Sequence, residues 1–177
     1  MMAREKTSAF VAWVLSKTGT TADKGFLAKL KKAESEATEY QAWEVLARWI
    51  DLEKPWERRA YGLIGASLAR LKSDKDGSLG IGEALKALFA KRGGDGEIEG
   101  SAEASRLRRL LSCKDQEEAV EVIRPLLRYL VGQEIPISHM QLLDELLWFD
   151  NEISREKTRL RWAKNFYSKK EIEEATS

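Results

Sequence analysis

The chain carries one histidine and one cysteine, which bounds its chemistry at once. His139 falls in the first turn of an expected helix beside Met140, where a capping or partly buried role fits. Cys113 has no cysteine to pair with, so neither an intramolecular disulfide nor a multi-cysteine zinc site can form. A hydrolase, kinase or metalloenzyme needs nucleophile, base or ligands grouped at recognisable spacing, and no such acid–histidine pair occurs. Glu-x-x-His, which a di-iron bundle needs twice, is absent. One stretch imitates a calcium loop: Asp74, Asp76, Gly77 and Glu83 fall on the third, fifth, sixth and twelfth positions of an EF-hand. Its first position is Lys72, an ammonium where a ligand carboxylate belongs, and no second hand exists, so the stretch reads as a turn with an Asp-Gly break. Gly80-x-Gly82 follows no strand and no Gly-Lys-Ser or Gly-Lys-Thr occurs, which removes the phosphate loop. The residues point to a non-enzymatic protein with no metal and no cofactor.

The chemistry that remains is electrostatic. Net charge is only +1, from 30 basic and 29 acidic residues, so a surface for a polyanion has to come from segregation. Arg155 to Lys170 holds seven bases against one acid, whereas Glu34 to Glu57 holds seven acids against two bases. Helical projection gathers the cations in three places. Phe26, Leu30 and Ala33 share one face, which leaves Lys24, Lys31 and Lys32 together on another with the small Ala28 between them. Leu107, Leu110 and Leu111 define a core side, so Arg106 and Arg109 point away from it and Arg108 flanks it. Arginine there has the fork that suits a phosphate. Lys157, Arg161 and Lys164 form a stripe opposite Trp162, Ala163 and Phe166, with Arg159 bordering the apolar face, where packing is its alternative role. Charge pattern by itself does not separate a phosphate-binding face from an ordinary solvated one. The six tryptophans fall on or near apolar stripes and are assigned to the core rather than to base stacking.

These faces require helices to carry them. Apolar residues recur at three- and four-residue spacing nearly everywhere without sustained alternation, so the fold class is all-α, a compact bundle of about eight to nine helices. At 177 residues and 43% hydrophobic content, one domain over 1–177 is expected. The expected helices are 4–17, 22–33, 36–53, one opening at Pro55 and stopping at 73–77, one ending near Arg92, 102–112, 115–130 with a kink at Pro125, one opening at Pro136 and Ser138 and ending near Asn151, and 155–169 capped by Ser154. The Gly93–Gly100 run is too glycine-rich to pack and is the place where two packed lobes would divide; the tail 171–177 is expected to fray. No signal peptide or membrane span is read, which places the protein in the cytoplasm.

The order of several motifs carries more than any of them singly. Asp23-Lys24-Gly25-Phe26-Leu27-Ala28-Lys29-Leu30-Lys31-Lys32-Ala33 is followed by Ser78-Leu79-Gly80, Arg106-Leu107-Arg108-Arg109-Leu110-Leu111 and Arg124-Pro125-Leu126-Leu127-Arg128. Leu143 to Asp150 and the closing Arg159-Leu160-Arg161-Trp162-Ala163-Lys164-Asn165-Phe166-Tyr167 complete the series. In this order they resemble the CasB family, the small subunit of the type I-E CRISPR surveillance complex Cascade. The resemblance implies an all-helical subunit, present in two copies beside other Cascade subunits and without catalysis of its own. Its cations would face the guide RNA and the target and displaced DNA strands, holding open an R-loop whose strand exchange is nearly balanced. The family's basic positions fall on Lys24, Lys31, Lys32, Arg106, Arg108, Arg109, Arg159 and Arg161. The second helix carries lysines where the family often has arginines. The alternative is a helical scaffold whose charged faces meet acidic protein partners.

Overall fold

The computed structural model describes residues 3–19 and 21–168; the tail 171–177 and the last two lysines of the basic run lie outside the described residues. Nine α-helices occur among the described residues: α1 Ala3–Leu15, α2 Lys24–Lys31, α3 Trp43–Leu46, α4 Pro55–Leu68, α5 Ile81–Lys91, α6 Ala102–Leu111, α7 Gln116–Gly132, α8 His139–Leu147 and α9 Glu152–Tyr167. Short 3-10 turns cover Lys32–Glu34, Glu39–Ala42 and Ile98–Gly100. Among the described residues one parallel bridge pairs Leu79 with Ile137.

α4 is the axis of the molecule. Every residue from Ala60 to Leu68 is buried, so this helix is surrounded rather than amphipathic. It packs on α7, α8, α1, α2 and the turn after α2. At Gly62 a Cβ would come within 2.8 Å of the Ala33 carbonyl, so only glycine lets that turn lie on α4. α5 and α9 meet in the same way, since a Cβ at Gly82 would stand 2.2 Å from the Trp162 carbonyl oxygen. Phe10, Trp13, Phe26, Trp49 and Tyr61 interlock at one end, with Phe10 and Tyr61 edge to face at 4.9 Å. Phe149 stacks on Trp162 at the other, with ring centroids 5.8 Å apart. The buried residues form one connected cluster from Phe10 to Phe166.

Several boundaries differ from the sequence reading. The helix expected over 36–53 is instead a 3-10 turn and the single turn of α3. The Thr38 hydroxyl donates to the Lys32 carbonyl at 2.7 Å, a local bond that competes with helix propagation. α4 stops at Leu68 and α8 at Leu147, earlier than projection placed them. α9 begins three residues sooner than expected, because Asn151 and not Ser154 caps it, accepting from the Ser154 N–H at 2.9 Å. Ser101, Asp115 and Ser138 cap as read. The glycine-rich segment is not devoid of packing, for Ile98 lies partly buried against the core.

α8 is held at its start by a polar chain. Asp76 accepts from the His139 and Met140 N–H groups at 2.9 and 3.0 Å and sits 2.9 Å from His139 Nδ1, while Nε2 lies 2.8 Å from the Ser67 hydroxyl. The Asp-Gly turn is thus a cap for a distant helix, its carboxylate engaged by protein donors. Burial alone would raise the Asp76 pKa, but these hydrogen bonds and the neighbouring imidazole outweigh it and hold the carboxyl below its usual range. A carboxyl depressed in the fold contributes stability above its unfolded pKa and loses it as pH falls through the folded value. Asp76→Asn therefore lowers the unfolding free energy by about 2 kcal/mol at neutral pH. Urea titrations of the two proteins should converge as pH drops below the carboxylate range.

Candidate nucleic-acid interface

α2 is aimed by its cap and its apolar face. Asp23 accepts from the Phe26 N–H at 3.1 Å, Phe26 lies edge-on to Trp13 at 5.0 Å, and Leu30 and Ala33 are buried. Lys24, Lys31 and Lys32 consequently stand exposed, as projection placed them, whereas Lys29 turns aside to pair with Glu44. With Leu27 and Ala28 as floor and Arg70 arriving from the end of α4, the three lysines line a groove of about 550 Å³. None of its lining residues is an acid. Four cations sharing one concave surface repel one another and focus a field that an anionic backbone relieves.

Arg70 continues this surface. Glu34, 11% exposed, accepts from Arg70 Nη2 at 2.7 Å and from Arg128 Nη2 at 2.6 Å. One carboxylate thereby sets two guanidiniums side by side, each with donors to spare. Arg128 lines a neighbouring groove of about 550 Å³ with Arg124, Pro125 and Tyr129. Arg106 stands 5.3 Å over the Tyr129 ring and so joins this face. The sequence reading did not select Arg70, Arg124 or Arg128. The four-residue spacing of Arg124 and Arg128, beside the buried Ile123, Leu127 and Leu130, was the available signal. Arg70 had none, since the helix was expected to run on to 73–77 and instead ends at Leu68, which changes where that side chain leaves the chain.

The three arginines of α6 part company. Arg108 donates to the Glu99 carbonyl at 3.1 Å and to the Ser105 hydroxyl at 2.9 Å, clipping the loop before its own helix. Arg109 shares its groove with Asp115, Glu117, Glu118 and Glu121, surroundings that repel a phosphate. α9 is similarly divided. Arg161 donates to the buried Glu145 at 2.9 Å, and the same carboxylate takes the Trp162 Nε1–H at 2.9 Å. Arg159 donates to the Cys113 carbonyl and is largely covered, the packing alternative read from its position. Lys157 and Lys164 are exposed.

The tryptophans need correction. Trp162 is buried, and Trp13 and Trp49 pack against the core, but Trp43, Trp56 and Trp148 are 37%, 42% and 55% exposed. Ile153 and Leu160 on α9 are also exposed. Stripes at the ends of short helices run past the core they were matched to.

Ser67, His139 and Asp76 have the connectivity of a hydrolytic triad, yet Ser67 and His139 are buried and the cavity beside Ser67 is only about 10 Å³. That is room for about one water and no substrate. Burial, joined by the Glu118 carboxylate, pushes the Cys113 thiol up, which weakens it as a nucleophile. Among the described residues no cluster of three or more His, Cys, Asp or Glu could hold a metal ion, and no helix is long and apolar enough to cross a membrane.

Because Arg159 bridges α9 to the segment after α6, Arg159→Ala should lower the unfolding free energy by about 1–2 kcal/mol. Lys157→Ala and Lys164→Ala should each stay within about 0.5 kcal/mol of the parent. Urea denaturation of the three variants separates the structural cation from the solvated ones.

Comparison with known proteins bears on the family and the fold. The family model of the CRISPR-associated protein Cse2 matches residues 26–167, most of the chain. A crystal structure of M. ruber CasB matches with a TM-score of 0.67 at 23% identity, over 92% of this chain and 92% of that one, which shows a common fold. No curated protein matches. Its motifs, its all-helical architecture and the extent of the family match together establish that the chain belongs to the CRISPR-associated protein Cse2 family, the Cascade subunits of CasB type.

Proposed function

We propose that this subunit is non-catalytic and acts in the cytoplasm within Cascade, holding the backbones of guide RNA and opened DNA so that the R-loop persists. The observation that carries this reading is the acid-free groove of Lys24, Lys31, Lys32 and Arg70, extended through Glu34 to Arg128 and on to Arg106 over Tyr129, with Arg124 beside them held by Glu121 at 2.7 Å. Phosphate neutralisation releases counterions and is indifferent to sequence, which suits a complex whose base pairing does the reading. Lysine supplies point charges along the groove and arginine the forked contacts at its end. Arg108, Arg159 and Arg161 support the fold that presents this surface. Two copies beside the other Cascade subunits would lengthen the track.

The scaffold reading is favoured at one place, the outer face of α9. Ile153 and Leu160, 68% and 61% exposed, stand one heptad apart with Lys157 between them. This is a surface for a neighbouring subunit rather than for a strand. Pull-down of a protein partner that survives nuclease treatment, and is lost on Ile153→Glu with Leu160→Glu, would support it.

For the groove, changing Lys24, Lys31 and Lys32 to Ala together should leave folding intact and weaken binding. The slope of log affinity against log salt should fall by about 2, at about 0.7 per lost contact to a single strand. In the assembled complex the same variant should destabilise the R-loop, whereas Arg109→Ala should change little. Electrophoretic shift at several salt concentrations reads both, and an unaltered slope in the triple variant overturns the assignment.

A further inference from the structure

We infer that the cavity between the ends of α4 and α7 receives one unstacked nucleobase of a strand lying along the lysine groove; this rests on the phosphate-binding reading above. The cavity has a volume of about 500 Å³, within the range of about 300–1,000 Å³ usual for small-ligand sites. Its walls come from the end of α4, the 72–77 turn, the end of α7 and the segment 134–137. Leu71, Val131, Ile135, Pro136 and Ile137 give it an apolar interior. Arg70, Lys72, Lys75 and Arg128 stand among its lining residues. Two acids line it, Asp76 and Glu134, and Asp76 is engaged by the start of α8. With Glu34 counted against Arg70 and Arg128, cations still exceed acids.

An apolar interior beneath a cationic rim matches an amphiphile that is flat and apolar at one end and anionic at the other, which describes a nucleotide. Position selects a strand over a free nucleotide or an acidic peptide. Arg70 lines both this cavity and the lysine groove, and Arg128 and Gly132 line both this cavity and the groove of Tyr129. A backbone following the cations therefore passes the mouth, and a base turned from the stack has an apolar place to enter.

The walls are built to persist. α7 ends with Ile135 N–H bonded to the Leu130 carbonyl and Glu134 N–H to the Val131 carbonyl, both at 3.0 Å, with Glu134 left-handed at φ 57°. This is the Schellman arrangement, with glutamate where glycine is cheaper. The bridge at Leu79 and Ile137 ties the same segment across: Leu79 N–H donates to the Pro136 carbonyl at 3.0 Å and Ser138 N–H to the Leu79 carbonyl at 2.8 Å. Pre-formed walls spare a ligand the ordering cost of closing them.

Gly132 offers the probe. It ends α7 in helical conformation, lines the cavity, and a Cβ there meets nothing within 4 Å. Gly132→Trp, with Gly132→Leu as a smaller filling should the first disturb folding, obstructs the cavity without removing a cation. The full-length protein is titrated by fluorescence anisotropy with a short single-stranded DNA and with an abasic strand of equal length and charge. The base-bearing strand should bind about tenfold more tightly, as one stacked base supplies. Each filled variant should lose that preference while holding the abasic strand within twofold of the parent. Equal affinity of the parent for both strands overturns the base pocket and leaves the phosphate reading standing, whereas salt-sensitive binding of neither strand overturns both. Preference retained in both filled variants also overturns it. So does failure of those variants to assemble with partner subunits when the parent shows no preference, a result that gives the cavity to a protein segment.

Discussion

A carboxylate withdrawn from water must find a cation or a set of donors, and in this protein three of them decide which arginines stay available to an outside anion. Glu145 is 4% exposed and takes Arg161 together with the Trp162 and Gln141 N–H groups, so that Arg161, although 47% exposed, spends one of its donors inside the protein. Glu103, similarly buried, holds Arg92 at 2.7 Å and draws Arg106 to 3.7 Å. Glu34 is less deeply placed and shared between Arg70 and Arg128, so it orders these two without saturating them. Had Glu34 faced a single guanidinium, the groove of α2 and the face of α7 would be separate patches. Shared, it joins them into one track.

The same surface depends on backbone proximity that charge cannot provide. The turn after α2 can lie on α4 because Gly62 has no side chain, and that contact carries Lys31, Lys32 and Glu34 to the neighbourhood of Arg70. On the far side Gly82 lets α5 meet α9, whose Trp162 reaches Glu145 on α8. The Ser67–His139–Asp76 chain then ties the end of α4, the turn after it and the start of α8. Thr7 adds α1 to that assembly through its hydroxyl bond to Asp144 at 2.6 Å. Helices in such contact move as one body, so the cations they carry keep their spacing, which is what binding a polymer of fixed charge repeat requires.

Aromatic residues divide between these two tasks. Phe10, Trp13, Trp49, Tyr61, Phe149 and Trp162 supply the core, while Trp43, Trp56, Trp148 and the α9 residues Ile153 and Leu160 remain at the surface. Exposed apolar side chains and exposed cations are both left at the surface, the two kinds of patch on which the proposed protein and strand contacts rest.

Reading residues in order was enough for the helical class, most helix starts, the caps at Ser101, Asp115 and Ser138, and the outward aim of Lys24, Lys31 and Lys32, because each depends on neighbours within one or two turns. Folding in three dimensions had to settle which cations share a groove and which are already taken. Arg109 and Arg106 project from one helix, yet one lines a groove with Glu118 and Glu121 while the other stands over Tyr129. Arg161 looked like part of a lysine stripe until α8 brought Glu145 against it, and Arg70 and Arg128 become neighbours only through Glu34. Periodicity reports which way a side chain leaves its own helix; the charge it meets there comes from residues far away in the chain, and Coulomb energy depends on that distance in space.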